Sequence, residues 1–87
     1  MPDEATETVT QAQVRQNLEE YFKDKTHIFR ADKLRQETDG NSSGVLSYLD
    51  GRGLGPVNPF TIGRKVAYHK KNYIDWVVSR VADMGGE

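Results

Sequence analysis

Apolar residues recur first at helical and then at strand spacing along this chain, and the change of period divides it. Val14, Leu18, Tyr21 and Phe22 stand at i, i+4, i+7 and i+8, which makes one buried helical face. Thr10-Gln11-Ala12-Gln13 ahead of them matches a capping box, with Val9 and Val14 placed as a hydrophobic staple. Glu19 and Lys23 are spaced to pair on the outer surface, and the helix is expected to end near Asp24 or Lys25. The β-branched and aromatic run Thr26-His27-Ile28-Phe29-Arg30 suits a brief strand. Residues 31–38 return to a helical period, with Ala31 and Leu34 inward and Lys33, Arg35 and Glu37 outward. Asp39-Gly40-Asn41 is a turn cluster in which Gly40 supplies the positive φ that ends a helix. Asn41 or Ser42 caps a third helix built on Val45, Leu46 and Leu49, which stops in Asp50-Gly51-Arg52-Gly53.

From Leu54 onward the period shortens to that of strands. Pro56 and Pro59 confine the next strand to an edge or a late start. Phe60-Thr61-Ile62 and Lys65-Val66-Ala67-Tyr68 are joined by Gly63-Arg64, and glycine in the first turn position suits a type II′ hairpin. Phe60 and Ile62 are expected to share one apolar face of the ribbon with Val66 and Tyr68. Asn72 caps a last helix expected to run to about Met84, with Gly85-Gly86 beyond it. Tyr73, Ile74, Trp76, Val77, Val78, Val81 and Met84 cover roughly 200° of that helix, twice the arc of an ordinary surface helix. Either it crosses the middle of the core or part of its face meets another subunit. In the second case Tyr73, Trp76, Val77 and Arg80 are the dimer contacts. Residues 1–9, acidic and threonine-rich, are expected to be a disordered tail, 10–84 the domain and 85–87 a flexible terminus.

Composition narrows the function classes. The 87 residues make one domain, near the size at which a single core just suffices. Without cysteine there is no disulfide, thiolate metal site or thiol nucleophile. A cysteine-free chain with no secretory or membrane-spanning run is expected to be soluble and cytoplasmic, with no membrane partner. No metal site or cofactor is expected, because His27 and His69 are the only histidines. An enzyme is not expected either. Neither histidine neighbours a nucleophile, and the adjacent Glu19 and Glu20 diverge by about 100° on a helix. Gly51-Arg52-Gly53-Leu54-Gly55 lacks the Lys-Ser/Thr that a phosphate-cradling loop needs.

The net charge of −1 hides an uneven distribution. Residues 1–24 hold six acids against two bases, whereas 41–71 hold one acid against five bases. Such asymmetry is a normal mark of nucleic-acid domains.

The succession of helix, strand, helix, turn, helix, hairpin and helix resembles the winged helix-turn-helix superfamily. Ile28-Phe29, residues 31–49 and residues 60–68 carry the likeness to its first strand, helix-turn-helix and wing. The resemblance implies an α+β fold, a three-helix core with a short strand, a β-hairpin wing and a C-terminal helix. It also implies binding of double-stranded DNA through the third helix and the basic wing, as in transcriptional regulators, and the expected protein acts as a homodimer through its first and last helices. Asn41, Ser42, Ser43, Ser47 and Tyr48 are the polar groups placed to meet base edges and phosphates. Arg52, Arg64, Lys65, Lys70 and Lys71 are the cations for flanking phosphates, and Lys33 and Arg35 can touch the backbone beside the groove. Two alternatives fit the same layout: a winged-helix module that binds a protein partner instead of DNA, and a DNA-binding protein of replication or partition.

Overall fold

Thr8 opens the first helix, two residues before the expected cap. In the computed structural model, which describes residues 7–82, α1 spans Val9–Tyr21. The Thr8 hydroxyl accepts from the Gln11 N–H at 3.0 Å, and the Gln11 side chain accepts from the Thr8 N–H at 3.0 Å. Thr-x-x-Gln occurs at both 8–11 and 10–13. The earlier copy also lets Gln11 donate to the Val78 carbonyl at 3.2 Å, which ties the helix start to the end of the chain's last helix. Val9 is left 88% exposed, so the expected staple does not form. Leu18 and Phe22 are buried as the stripe predicts, but Tyr21 is exposed, and Lys23 pairs with Glu20 instead of Glu19. Of the expected flexible ends, residues 1–6 and 85–87 lie outside the described residues, as does Met84.

Strand β1 (His27–Phe29) leads into α2 (Lys33–Asp39), where the Asp32 carboxylate accepts from the Leu34 N–H at 2.8 Å as N-cap. Gly40, at φ 74°, ends that helix as expected, and Ser42 caps α3 (Ser43–Gly51) by accepting from the Val45 N–H. Gly53 at φ 74° closes α3, with its N–H bonded to the Asp50 carbonyl and the Leu54 N–H to that of Leu49. These are the paired bonds of a Schellman motif.

Strands β2 (Phe60–Ile62) and β3 (Lys65–His69) follow, and the sheet is antiparallel throughout in the order β1-β3-β2. Gly63 has φ 62° while Arg64 does not enter the left-handed region, the signature of the expected type II′ turn. That two-residue turn sets Ile62 opposite Lys65 and Phe60 opposite Ala67. Directly opposed residues share a face, so Phe60 and Ile62 lie on the side away from Val66 and Tyr68. This reverses the expectation of one apolar ribbon face. Ile28 and Tyr68 enter the core, while the outer face carries the rings of His27, Phe29, Phe60 and His69, with centroids 4.6–6.0 Å apart.

Helix α4 (Lys70–Ser79) begins two residues before the expected Asn72 cap and stops well short of Met84. The Ser79 hydroxyl donates to the Trp76 carbonyl at 2.6 Å, a local bond that competes with continuing the helix. Its wide apolar arc is a core property. Tyr73, Ile74, Trp76 and Val78 are buried with Leu18, Phe22, Ile28, Leu46 and Tyr68. Trp76 Nε1 donates to the Leu54 carbonyl at 2.8 Å, and the Asn72 amide donates to that of Val57, so α4 also holds the connection between α3 and β2. Tyr73 and Trp76 are therefore corrected from dimer contacts to core residues. Half-buried Val77 and exposed Arg80, stacked 4.9 Å over the Trp76 ring, are what remains of that set.

The coarse expectation of an α+β domain is borne out, with four helices and three strands among the described residues. No helix there is long and apolar enough to cross a membrane, and no group of three metal-ligating side chains occurs there.

Candidate nucleic-acid interface

The turn between α2 and α3 is fixed by a side chain expected at the surface. Arg35 is fully buried. It donates from Nε and Nη2 to the Arg30 carbonyl, and from Nη1 to Asp39 (3.0 Å) and the Asn41 carbonyl (2.9 Å). Asp39 accepts in turn from the Asn41 N–H at 2.9 Å and the Tyr73 hydroxyl at 2.8 Å. Arg35 is thereby removed from the candidate DNA contacts. It faces inward because the carbonyls and carboxylate around the turn give a buried guanidinium the partners it requires. Burial, followed by the nearby Asp39 charge, pushes the Tyr73 hydroxyl well above the usual tyrosine range.

A second knot anchors the far end of α3. The carboxylate of Asp50 accepts from Arg30 Nη2 and from the Tyr68 hydroxyl, both at 2.6 Å, and Arg30 Nε donates to the Tyr68 oxygen at 3.1 Å. Burial, then the bond to Asp50, pushes Tyr68 up to about 12, with Arg30 opposing. Burial by itself would lower the Arg30 pKa, but its bonds to Tyr68 and Asp50 raise it. Gly55 closes over this carboxylate. A Cβ built there would lie 2.1 Å from Asp50 Oδ1. Both arginines and Asp50 work in positioning α3, a role sequence spacing does not reveal because their partners are carbonyls and distant side chains.

What α3 leaves outward is nearly uncharged. Gly44, Val45, Ser47, Tyr48 and Gly51 are exposed, Val45 by 44% and Tyr48 by 61%. The Ser42 hydroxyl is engaged in the cap, Ser43 Oγ donates to the Arg30 carbonyl at 3.3 Å, and Asn41 is half-buried. Arg52 follows the helix with its guanidinium 5.6 Å from the Tyr48 ring centre and Nη1 bonded to the Tyr48 hydroxyl at 2.8 Å.

The sequence-predicted cations separate into two groups. Arg64 and Lys65, at the hairpin turn, share a cleft of 410 Å³ with Ser43 at the start of α3 and with Phe29, Arg30, Ala31, Asp32 and Val66. Neither forms an ion pair among the described residues, and the Lys65 ammonium lies 5.4 Å from the Phe29 ring centre. Lys70 and Lys71, past the other end of β3, line a different depression with Arg15, Glu19 and Ile74. There Lys71 pairs with Asp75 at 2.9 Å and Arg15 bridges Asp75 and Glu7. Burial would raise the Asp75 pKa, but Lys71 and Arg15 together hold it below the usual carboxylate range. Lys33 is exposed at the first turn of α2. The predicted set thus includes Ser43, Arg64 and Lys65 around one opening, with Ser47, Tyr48 and Arg52 on or just after α3 and Lys70 and Lys71 elsewhere.

No family model, curated protein or solved structure matches this chain.

Proposed function

We propose that this chain is a winged helix-turn-helix domain that binds duplex DNA, with α3 entering the major groove and the hairpin turn meeting an adjacent phosphate backbone. One observation carries the reading. The start of α3 and the two cations of the hairpin turn, unpaired among the described residues, border the same cleft, so a groove-seated helix and phosphate-seeking side chains serve one ligand. The element order and the strand order β1-β3-β2 support the same architecture. A role in transcription regulation, with Val77 and Arg80 as the surviving contacts for a homodimer, extends this reading.

The test is fluorescence anisotropy on arbitrary duplex DNA across a salt series. Arg64→Ala with Lys65→Ala is expected to weaken binding to every sequence and to flatten the log–log salt slope by about 1.8, the share of two phosphate contacts. An unchanged slope removes the hairpin from the interface. A second reading, a protein-docking module, is favoured by the exposed apolar side chains Tyr48, Leu54 and Val57. It gains if the wild-type chain binds no duplex even at low salt.

A further inference from the structure

We infer, resting on the duplex-binding reading above, that α3 recognises thymine by its 5-methyl group.

The inference begins with what the helix lacks. In the major groove, guanine is read by two hydrogen bonds from Arg or Lys, and adenine by two from Asn or Gln. None of those residues lies between Ser43 and Gly51. Arg52, just beyond, is held back on Tyr48 by a hydrogen bond and by stacking.

What the helix offers is apolar. Val45 and Tyr48 are three residues apart, hence neighbours on one helical face about 4.5 Å apart along the axis, and both are exposed. The thymine methyl is the apolar group that the major-groove edges present to such side chains. Base steps of about 3.4 Å put two successive methyls within reach of this pair.

Charge selects nucleic acid as the occupant. The only acid of α3, Asp50, is turned inward, paired with Arg30 and hydrogen-bonded by Tyr68, so the exposed face carries no negative charge. Arg64 and Lys65 share a cleft with Ser43, the first residue of α3, and Arg52 follows its last. An uncharged apolar face with cations near both ends of its helix suits a methyl-bearing edge within a polyanion.

The experiment compares two randomised 40-bp duplex pools, one synthesised with thymine and one with uracil. These differ only in the major-groove methyl, and the pools compete for the full chain at moderate salt. The thymine pool is expected to be retained about fourfold more strongly for each contacted methyl, the worth of one buried carbon. Restoring methyls as 5-methylcytosine in the uracil pool should recover part of the loss. Val45→Ser with Tyr48→Ser, both at exposed positions, should abolish the preference. Equal retention of both pools by the wild-type chain overturns the methyl inference and leaves duplex binding standing. Absence of binding to either pool at low salt overturns both.

Discussion

The helical part of the molecule and its hairpin turn use the same kinds of residue in opposite ways. On the helical side, Arg30, Arg35, Asp39 and Asp50 are folded into knots with tyrosine hydroxyls and backbone carbonyls. At the hairpin turn, Arg64 and Lys65 stand exposed and without carboxylate partners among the described residues. A buried guanidinium needs several acceptors in fixed places, and a chain reversal between helices provides them. A two-residue hairpin turn has none to spare. Charge near the turn of the helices therefore determines shape, whereas charge at the hairpin stays open to solvent.

The sharpest way to break this contrast is Arg35→Ala. Removing one partner of a buried ion pair leaves Asp39 uncompensated, and a loss of about 3–5 kcal/mol is expected in chemical denaturation. A loss under about 1 kcal/mol would mean that the turn holds without its arginine. Alkaline pH probes the same side more gently. An unfolded tyrosine ionises near about 10, while folded Tyr68 holds its proton to about 12. Between these values the unfolded chain loses the proton and the native one keeps it, so stability falls as pH rises. One such group contributes on the order of 2 kcal/mol of that fall. Tyr73 is shifted in the same direction and adds to it. Tyr68→Phe should flatten the decline in denaturation midpoint above about pH 10, and an unchanged decline would detach Tyr68 from it. The smallest effect belongs to the hairpin. Replacing Arg64 and Lys65 by alanine should leave stability within about 0.5 kcal/mol while changing the salt dependence of binding.

The elements were legible in the sequence because each depends on a local signal. Gly40 and Gly63 needed positive φ, and the Leu18–Phe22 and Tyr73–Val78 patterns declared buried faces. Side-chain destinations were less legible where competing partners lay far along the chain. Thr8 prevails over Thr10 as cap because Gln11 also reaches Val78, and Arg35 turns inward toward Asp39 and the carbonyls of Arg30 and Asn41. The ribbon's inner face departs from its apolar alternation because a two-residue turn, not hydrophobicity, fixes which residues stand opposite. At the candidate interface Arg64 is readable as a turn residue and Lys65 as the first strand residue after it. The separation of Lys70 and Lys71 from them follows only from the length and direction of β3.

The strand order also has a kinetic consequence. Strands β2 and β3 meet through a two-residue turn, but β1 joins β3 only after about forty intervening residues are looped out, at an entropic cost near 3 kcal/mol by the logarithmic law. The hairpin can therefore zip early on the microsecond scale, while the β1–β3 ladder waits for α2 and α3 to bring its partner home. Amides bonded across β1 and β3 should exchange with solvent only through global unfolding, whereas those beside Gly63 open with the hairpin alone. The part that closes last on the folding route is thus the part that joins the two halves of the chain, and the hairpin turn stays free to open by itself.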